Sequence, residues 1–305
     1  MSQRAPLAPG AAIAFAGLGL MGLPMAANLA RAGYRLHVID TNAAALAAHR
    51  GAFPNNDASL GECGAAIMML PNGDIVRSVL VEGEAALVHR LPKGALIIDM
   101  SSSSPVGTRA LAQELGREGF DLVDAPVSGG VKRAVPGTLA IMAGGATEHI
   151  EAARPLLEKL GSSIHLTGPI GTAHAMKALN NYVSAAGLMA AAEATLAAQK
   201  FGLDAQTVVD ILNASTGMNN STQNKFTQFI LSRQFNSGFS LGLMAKDLRI
   251  ALEVIESTGT PGWIAAPVVA AANRAEALLG GGEDHTGAVK LWEQEAHAQL
   301  TMRRP

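Results

Sequence analysis

The 305-residue sequence predicts an α/β fold: a doubly wound parallel sheet in residues 1–167, followed by an all-helical domain in residues 168–305. Three observations predict it. Short apolar runs alternate with segments of helical spacing through the first half, the pattern of a parallel sheet covered on both faces. A glycine-rich turn joins the first of those runs to the first helical segment. After Gly168 no convincing strand run remains, and a long helical pattern opens the second half.

Taken in order, "AAIAFAG" (11–17) reads as the first strand and "MGLPMAANLARAG" (21–33) as a helix stopped by Gly33. "RLHVID" (35–40), "AAIMMLP" (65–71) and "ALIIDMS" (95–101) repeat the short apolar run, separated by helical segments such as "SPVGTRALAQELGREG" (104–119). "GFDLVDAP" and "TLAIMAGG" read as further strands, joined through "DAPVSGG" (124–130). The segment starting "GTAHAMKALNNYVSAAGLM" predicts a helix of about 30 residues, roughly 45 Å long, which spans the domain boundary and forms the spine of the second domain. "LLGGGEDHTG" (278–287) reads as a loop, and the polar "STGMNNSTQNK" (215–225) as either a substrate-specificity loop or a capped helix start.

Composition narrows the function. Apolar residues make up 49% of the chain and the net charge is −2, so there is ample core and no basic field for nucleic acid or an anionic membrane. Aromatics at 4% are too sparse for base-stacking platforms. The lone Cys63 allows neither an internal disulfide nor a thiolate metal cluster, and it reads as a small buried hydrophobe. No metal site is expected. "MSQRAPLAPGAAIAFAGLG" imitates a signal peptide, but its apolar run serves better as the first strand of a nucleotide-binding unit. No window reaches the roughly 18 uninterrupted apolar residues of a membrane span, so the cytoplasm is the expected compartment.

"GLGLMG" (17–22) fits G-x-G-x-x-G through Gly17, Gly19 and Gly22, with Leu18, Leu20 and Met21 between them. Following a strand and opening a helix, it predicts a Rossmann-type site in which a pyrophosphate meets a helix N-terminus. Asp40 ends the next strand, where a carboxylate would take the ribose hydroxyls. The following residues are Thr41 and Asn42, with no cation for a 2′-phosphate, which favours NAD over NADP. Leu70, Pro71 and Ser102 stand at later strand ends, where ligands of open parallel sheets bind, and are expected to border the cofactor.

Lys177 and Asn181 stand four apart, on one face of the long helix. That face otherwise carries small and apolar residues, so a lysine there is either a general acid/base whose charged form is disfavoured by burial or a snorkelling surface residue. Lys246 and Asp247 stand together in "GFSLGLMAKDLRIALE" (238–253), alone no more than an ion pair. Ser128, Gly129 and Gly130 are either a plain turn or backbone N–H groups arranged for a small anion.

Four ordered blocks, "FAGLGLMGLPMAANLARAGY", "DAPVSGGVKRAVPGTLAIMAGG", "GPIGTAHAMKALNN" and "LMAKDL", together resemble the β-hydroxyacid dehydrogenase family over nearly the whole chain. The resemblance implies that Lys177 is the catalytic acid/base and that Ser128, Gly129 and Gly130 bind the substrate's acid group. It implies that Asn181 orients the substrate hydroxyl and the lysine, that Lys246 lies by the nicotinamide, and that Asp247 is a substrate-side partner. It further implies a small anionic hydroxy acid or semialdehyde as substrate and a homodimer or homotetramer. Two departures stand out: Ala173 occupies a position usually held by glycine, and His174, one turn before Lys177, reads as solvated or as a group that tunes the lysine. The rival readings are a 6-phosphogluconate dehydrogenase-like enzyme, which would need a cluster of cations for a phosphate, and a non-catalytic NAD-binding module.

Overall fold

The structure, a computed structural model, describes residues 4–53 and 58–302, which divide into two compact units, Met1–Lys177 and Ala178–Pro305. In the first unit β1 (Ala12–Ala16), β2 (Arg35–Ile39), β3 (Ala65–Met68), β4 (Leu96–Asp99) and β5 (Asp121–Asp124) form a parallel sheet in the order β2-β1-β3-β4-β5. The run beginning at Ala11 thus supplies a central strand. Helices α1 (Gly22–Arg31), α2 (Ala43–Ala52), α3 (Gly73–Val81) and α4 (Pro105–Arg117) make the crossovers.

All five residues of β1 are buried, so its sequence is apolar throughout rather than alternating. Ile13 and Phe15 pack with Met25 and Leu29 of α1 on one face; Ala14 and Ala16 pack with Val76 and Leu80 of α3 and Leu111 of α4 on the other. The strand order turns back at β1 and β3, which places a ligand crevice beyond their carboxyl ends.

The all-parallel expectation fails beyond β5. β6 (Val127–Ser128), α5 (Gly130–Ala134), β7 (Leu139–Gly144), α6 (Thr147–Leu157) and β8 (Gly161–Gly168) complete an eight-stranded sheet in which β7 runs antiparallel to β5 and β6 and parallel to β8. The connection from β6 to β7 is too short for a right-handed parallel crossover, so the chain folds straight back. β8, "GSSIHLTG", is largely exposed and carries no apolar run, which is why the sequence did not reveal it. Because β5 and β6 are both antiparallel to β7, the carboxyl end of β6 lies on the same edge of the sheet as those of β1 to β5.

α7 (Thr172–Phe201) has the 30 residues expected of the long helix. In the second unit it is followed by α8 (Ala205–Ala214), a wide helix of π type (Thr222–Leu231), α9 (Leu241–Ser257), α10 (Ala265–Leu279) and α11 (Val289–Glu295). Leu188, Ala192 and Leu196 of α7 pack with Val209 of α8 and with Phe226 and Ile230 of the wide helix. Met189 packs with Met244 and Leu248 of α9 and Val269 of α10. Within 215–225 the capped helix start is what forms: Asn219 Oδ1 accepts the N–H groups of Ser221 at 2.8 Å and Thr222 at 3.2 Å.

Candidate active site

The glycine-rich turn sits at the crevice between β1 and β3. Gly17 has φ +101°, and a Cβ there would lie 2.1 Å from the Met69 carbonyl oxygen, so the two strand ends approach only because the side chain is missing. A Cβ on Gly22 would lie 1.8 Å from the Gly17 carbonyl oxygen. Gly19 is different: nothing stands within 4 Å of the place its Cβ would occupy, which leaves the backbone open to a close-lying group. No side chain caps α1 and no acidic residue stands in its first turn. Leu18 is buried, Leu20 is exposed and Met21 is half-buried. Asp40, directly after β2, accepts the Leu18 N–H through Oδ2 and the Asn42 N–H at 2.7 Å through Oδ1. An open glycine backbone, an uncapped helix start and a strand-end carboxylate fit a dinucleotide.

The neighbouring strand ends carry the other cofactor candidates. Leu70 donates its N–H to Ser101 Oγ at 3.0 Å, tying the loop after β3 to the loop after β4. Pro71 is exposed. Ser102 is half-buried between the buried Ser101 and Ser103. Ser128 ends β6 opposite Ala140, and Gly129 and Gly130 follow with φ +127° and +61°. Two successive left-handed residues turn the chain from strand into α5 and leave the Ser-Gly-Gly backbone uncovered by Cβ atoms. A groove of about 630 Å³ elsewhere in this unit, lined by Phe120, Leu122, Ile150 and Leu166, includes none of the nominated residues.

Lys177 stands half-buried in the second turn of α7. Ala173, at the departure from the usual glycine, is fully buried in the first turn. His174 is 1% exposed, so the solvated reading is wrong. Its Nδ1 lies 2.8 Å from Thr108 Oγ1, and its ring stands between Asp99 and Asp124, both buried. Asp124 Oδ1 accepts the Gly171 N–H and Oδ2 the His174 N–H, each at 2.9 Å, so a strand-end carboxylate from β5 caps α7. Sequence reasoning did not single out Asp99 and Asp124, the two carboxylates that meet the start of α7. The available signal was an aspartate closing each of two otherwise buried strands, "LIID" and "DLVD".

In the second unit Asn181, Lys246 and Asp247 come together. Asp247 is 2% exposed; its Oδ2 accepts Asn181 Nδ2 at 2.6 Å and its Oδ1 lies 3.3 Å from Lys246 Nζ. Lys246 and Asp247 are therefore not a surface pair. A buried carboxylate orients one amide and one ammonium.

A further polar cluster lies in the same unit. Lys225 donates to Ser184 Oγ at 3.4 Å, and burial makes its ammonium easier to deprotonate, against the pull of Asp284. His285 Nδ1 lies 3.1 Å from the Phe239 carbonyl oxygen, and burial, helped by Lys225, lowers its pKa to about 4 against an ordinary 6.5. Between those two values the unfolded chain binds the proton and the folded chain does not, so acid favours unfolding. Stability should therefore fall as pH drops below about 6.5 and lose about 3 kcal/mol through this group by pH 4. Denaturant titrations across that window, on the wild type and His285→Phe, check this: the variant should show the shallower fall.

Cys63 is buried, donates to the Ser59 carbonyl oxygen and has its thiol pushed up to about 11 by burial, as suits an inert core residue. Among the described residues no helix is long and apolar enough to cross a membrane, and no cluster of His, Cys, Asp or Glu could hold a metal ion.

A crevice at a sheet switch point, with an amine-bearing helix capped from the same sheet edge, fits the class of nicotinamide-dependent oxidoreductases. Residues 12–168 match the NAD binding domain of 6-phosphogluconate dehydrogenase, and residues 171–292 match the NAD-binding domain of NADP-dependent 3-hydroxyisobutyrate dehydrogenase. The chain is 36% identical to 2-(hydroxymethyl)glutarate dehydrogenase of Eubacterium barkeri, over 92% of this chain and 95% of that one. It is 38% identical to 3-hydroxyisobutyrate dehydrogenase of Pseudomonas aeruginosa, over 79% of this chain and 84% of that one. Its structure is similar to that of Mycobacterium tuberculosis 3-hydroxyisobutyrate dehydrogenase with L-serine, with a TM-score of 0.83 and 30% identity over 92% of this chain and 99% of that one. The chain belongs to the β-hydroxyacid dehydrogenase family. It is an NAD(P)-dependent enzyme acting on small hydroxy acids, which removes the reading of a non-catalytic module.

Proposed function

We propose that the enzyme interconverts a small 3-hydroxy acid and its semialdehyde or keto acid, with Lys177 as general acid and base. The observation that carries this reading is the pairing of Lys177 with Asn181 one turn on along α7, Asn181 being held by the buried Asp247. The Ser128–Gly130 turn binds the substrate's acid group through backbone N–H groups and the serine hydroxyl. Asn181 orients the substrate hydroxyl, Lys246 lies at the nicotinamide side, and Asp247 acts chiefly by holding both. Lys177 takes the hydroxyl proton during oxidation and returns it to the forming alcohol during reduction. The bound nicotinamide supplies or accepts the hydride. Leu18, Leu20, Met21, Leu70, Pro71 and Ser102 border the nucleotide.

NAD is the proposed cofactor in preference to NADP, because Asp40 would face a 2′-phosphate with a carboxylate. Asp40→Asn keeps an acceptor for the loop and removes the charge. It should shift the ratio of kcat/KM for NADP against NAD by about tenfold toward NADP, about 1.4 kcal/mol, as read from initial rates with each nucleotide. A homodimer or homotetramer is proposed on the exposure of Phe201, Trp263 and Ile264 in the second unit, and the cytoplasm on the single buried thiol.

The test is a panel of three- to six-carbon hydroxy acids and semialdehydes, with carboxylate and sulfonate members and 6-phosphogluconate, followed by nicotinamide absorbance with both nucleotides. Turnover of 3-hydroxy acids supports the reading. Turnover of 6-phosphogluconate alone would replace it.

A further inference from the structure

Resting on the role of Lys177 above, we propose that His174 is the positioning residue for that lysine: wedged between two strand-terminal carboxylates, it sets the roll of α7 and hence the direction of the amine. The argument begins at the sheet. Asp99 closes β4 and Asp124 closes β5, and both are buried, at 1% and 0% exposure. Asp99 Oδ1 accepts the Ser101 N–H and its Oδ2 the Ser103 hydroxyl, each at 2.9 Å. Asp124 spends one oxygen on the Gly171 N–H and the other on the His174 N–H. Among the described residues, the one cation-capable side chain within 4 Å of either carboxylate is His174, with Nε2 3.7 Å from Asp99 Oδ2 and Nδ1 3.9 Å from Asp124 Oδ2. Buried carboxylates are costly without such a neighbour.

The ring is fixed on its other side as well. Thr108 donates its hydroxyl proton to the Ser104 carbonyl at 2.9 Å, so its oxygen accepts from His174 Nδ1–H at 2.8 Å. Nε2 is buried without a hydrogen-bond partner and is turned toward Asp99. Gly144 of β7 makes room for this assembly: a Cβ there would lie 2.6 Å from Asp124 Oδ1 and 3.2 Å from the Ala173 nitrogen. The helix start is thus held by a backbone cap and by one side chain in its first turn, three residues before Lys177.

Roll matters because the amine is far from the helix axis. With Cα atoms about 2.3 Å from the axis and a lysine stem adding about 6 Å, a roll of about 10° moves Nζ by about 1.4 Å. A misplacement of about 1 Å can cost about 10²-fold in rate. The same network reaches the nucleotide side, since Ser101 also accepts the Leu70 N–H.

The test is a double-mutant cycle in the full-length enzyme, by single-turnover hydride transfer with NAD and the panel substrate that the wild type turns over fastest. His174→Leu should lower the rate by about 10–100-fold beside Lys177, and by less than about twofold in the Lys177→Ala background, because a residue acting through another loses its effect when the other is gone. Amide hydrogen exchange gives a readout independent of activity: His174→Leu should speed exchange at residues 171–178 and leave β1, β3 and β4 protected. If His174→Leu does not fold, Thr108→Val removes the acceptor at Nδ1, together with the bond from Thr108 to the Ser104 carbonyl, and should show the same pattern more weakly. Equal losses in both backgrounds, or unchanged rate and exchange, overturn the proposal. Lys177→Ala turning over like wild type would instead overturn the assignment of Lys177 itself.

Discussion

Replacing Lys177 with alanine is expected to slow hydride transfer by about 10²–10⁴-fold while NAD affinity stays within about threefold of wild type. The size follows from the task. Oxidation of an alcohol leaves a proton on oxygen that must go to a group already in place, and a solvent molecule is poorly placed to substitute. Lys177 stands one turn before Asn181, which a nearly buried aspartate holds at 2.6 Å, so the lysine's nearest functional neighbour on the helix is a rigid one. The glycine turn that would take the nucleotide is built from residues 17–22, at the other end of the first unit's sequence, so nucleotide binding should survive. Single-turnover kinetics and equilibrium titration with NAD separate the two quantities. The pH profile adds a second check, because the limb reporting the enzyme's base should vanish with the amine. Near-wild-type turnover would end the acid/base assignment and leave the nucleotide fold intact.

Gly22→Ala is expected to be severely damaging to the nucleotide site through a single added methyl. The added carbon would sit 1.8 Å from the Gly17 carbonyl oxygen, 2.9 Å from its carbon and 3.3 Å from Phe15, with backbone on one side and the core on the other. Neither can yield cheaply, so α1 must lift from the sheet. A cost of about 3–5 kcal/mol is expected, with loss of the thermal shift that NAD produces in the wild type. Gly19→Ala is the control. Its Cβ has nothing within 4 Å, so that variant should melt like wild type and yet bind NAD more weakly, because the methyl occupies space needed by a pyrophosphate. Equal melting temperatures for Gly22→Ala and Gly19→Ala would contradict this account of the turn.

Much of the candidate site could be nominated from the sequence because its parts are local. A strand, a G-x-G-x-x-G turn, a helix and a strand-end aspartate lie within residues 12–40, and each element has its own short-range pattern. The same holds for Lys177 and Asn181, whose spacing alone puts them on one face of a helix. Ser128–Gly130 was readable as a turn, either plain or arranged for an anion; that its two glycines take φ +127° and +61° and lead into α5 came only from the structure. His174 was misread because a histidine beside alanines on a helix carries no sign of what packs over it. Its neighbours Asp99, Thr108 and Asp124 lie 50 or more residues away in sequence. The reversal of β7 was also illegible, since direction depends on which edge a strand joins. An apolar run is the same read either way.

By itself the sequence determined the alternation of strands and helices, the nucleotide turn, the length of α7 and the identity of the amine-bearing face, because hydrophobic period and glycine sterics act over a few residues. Tertiary structure alone decided that β7 turns back, that Asp247 orients Asn181 and Lys246, and that two strand-end carboxylates grip the start of α7 around His174. Those features rest on groups far apart in the chain meeting where water is excluded. There a charge must find a partner, and which partner is a property of the packed fold.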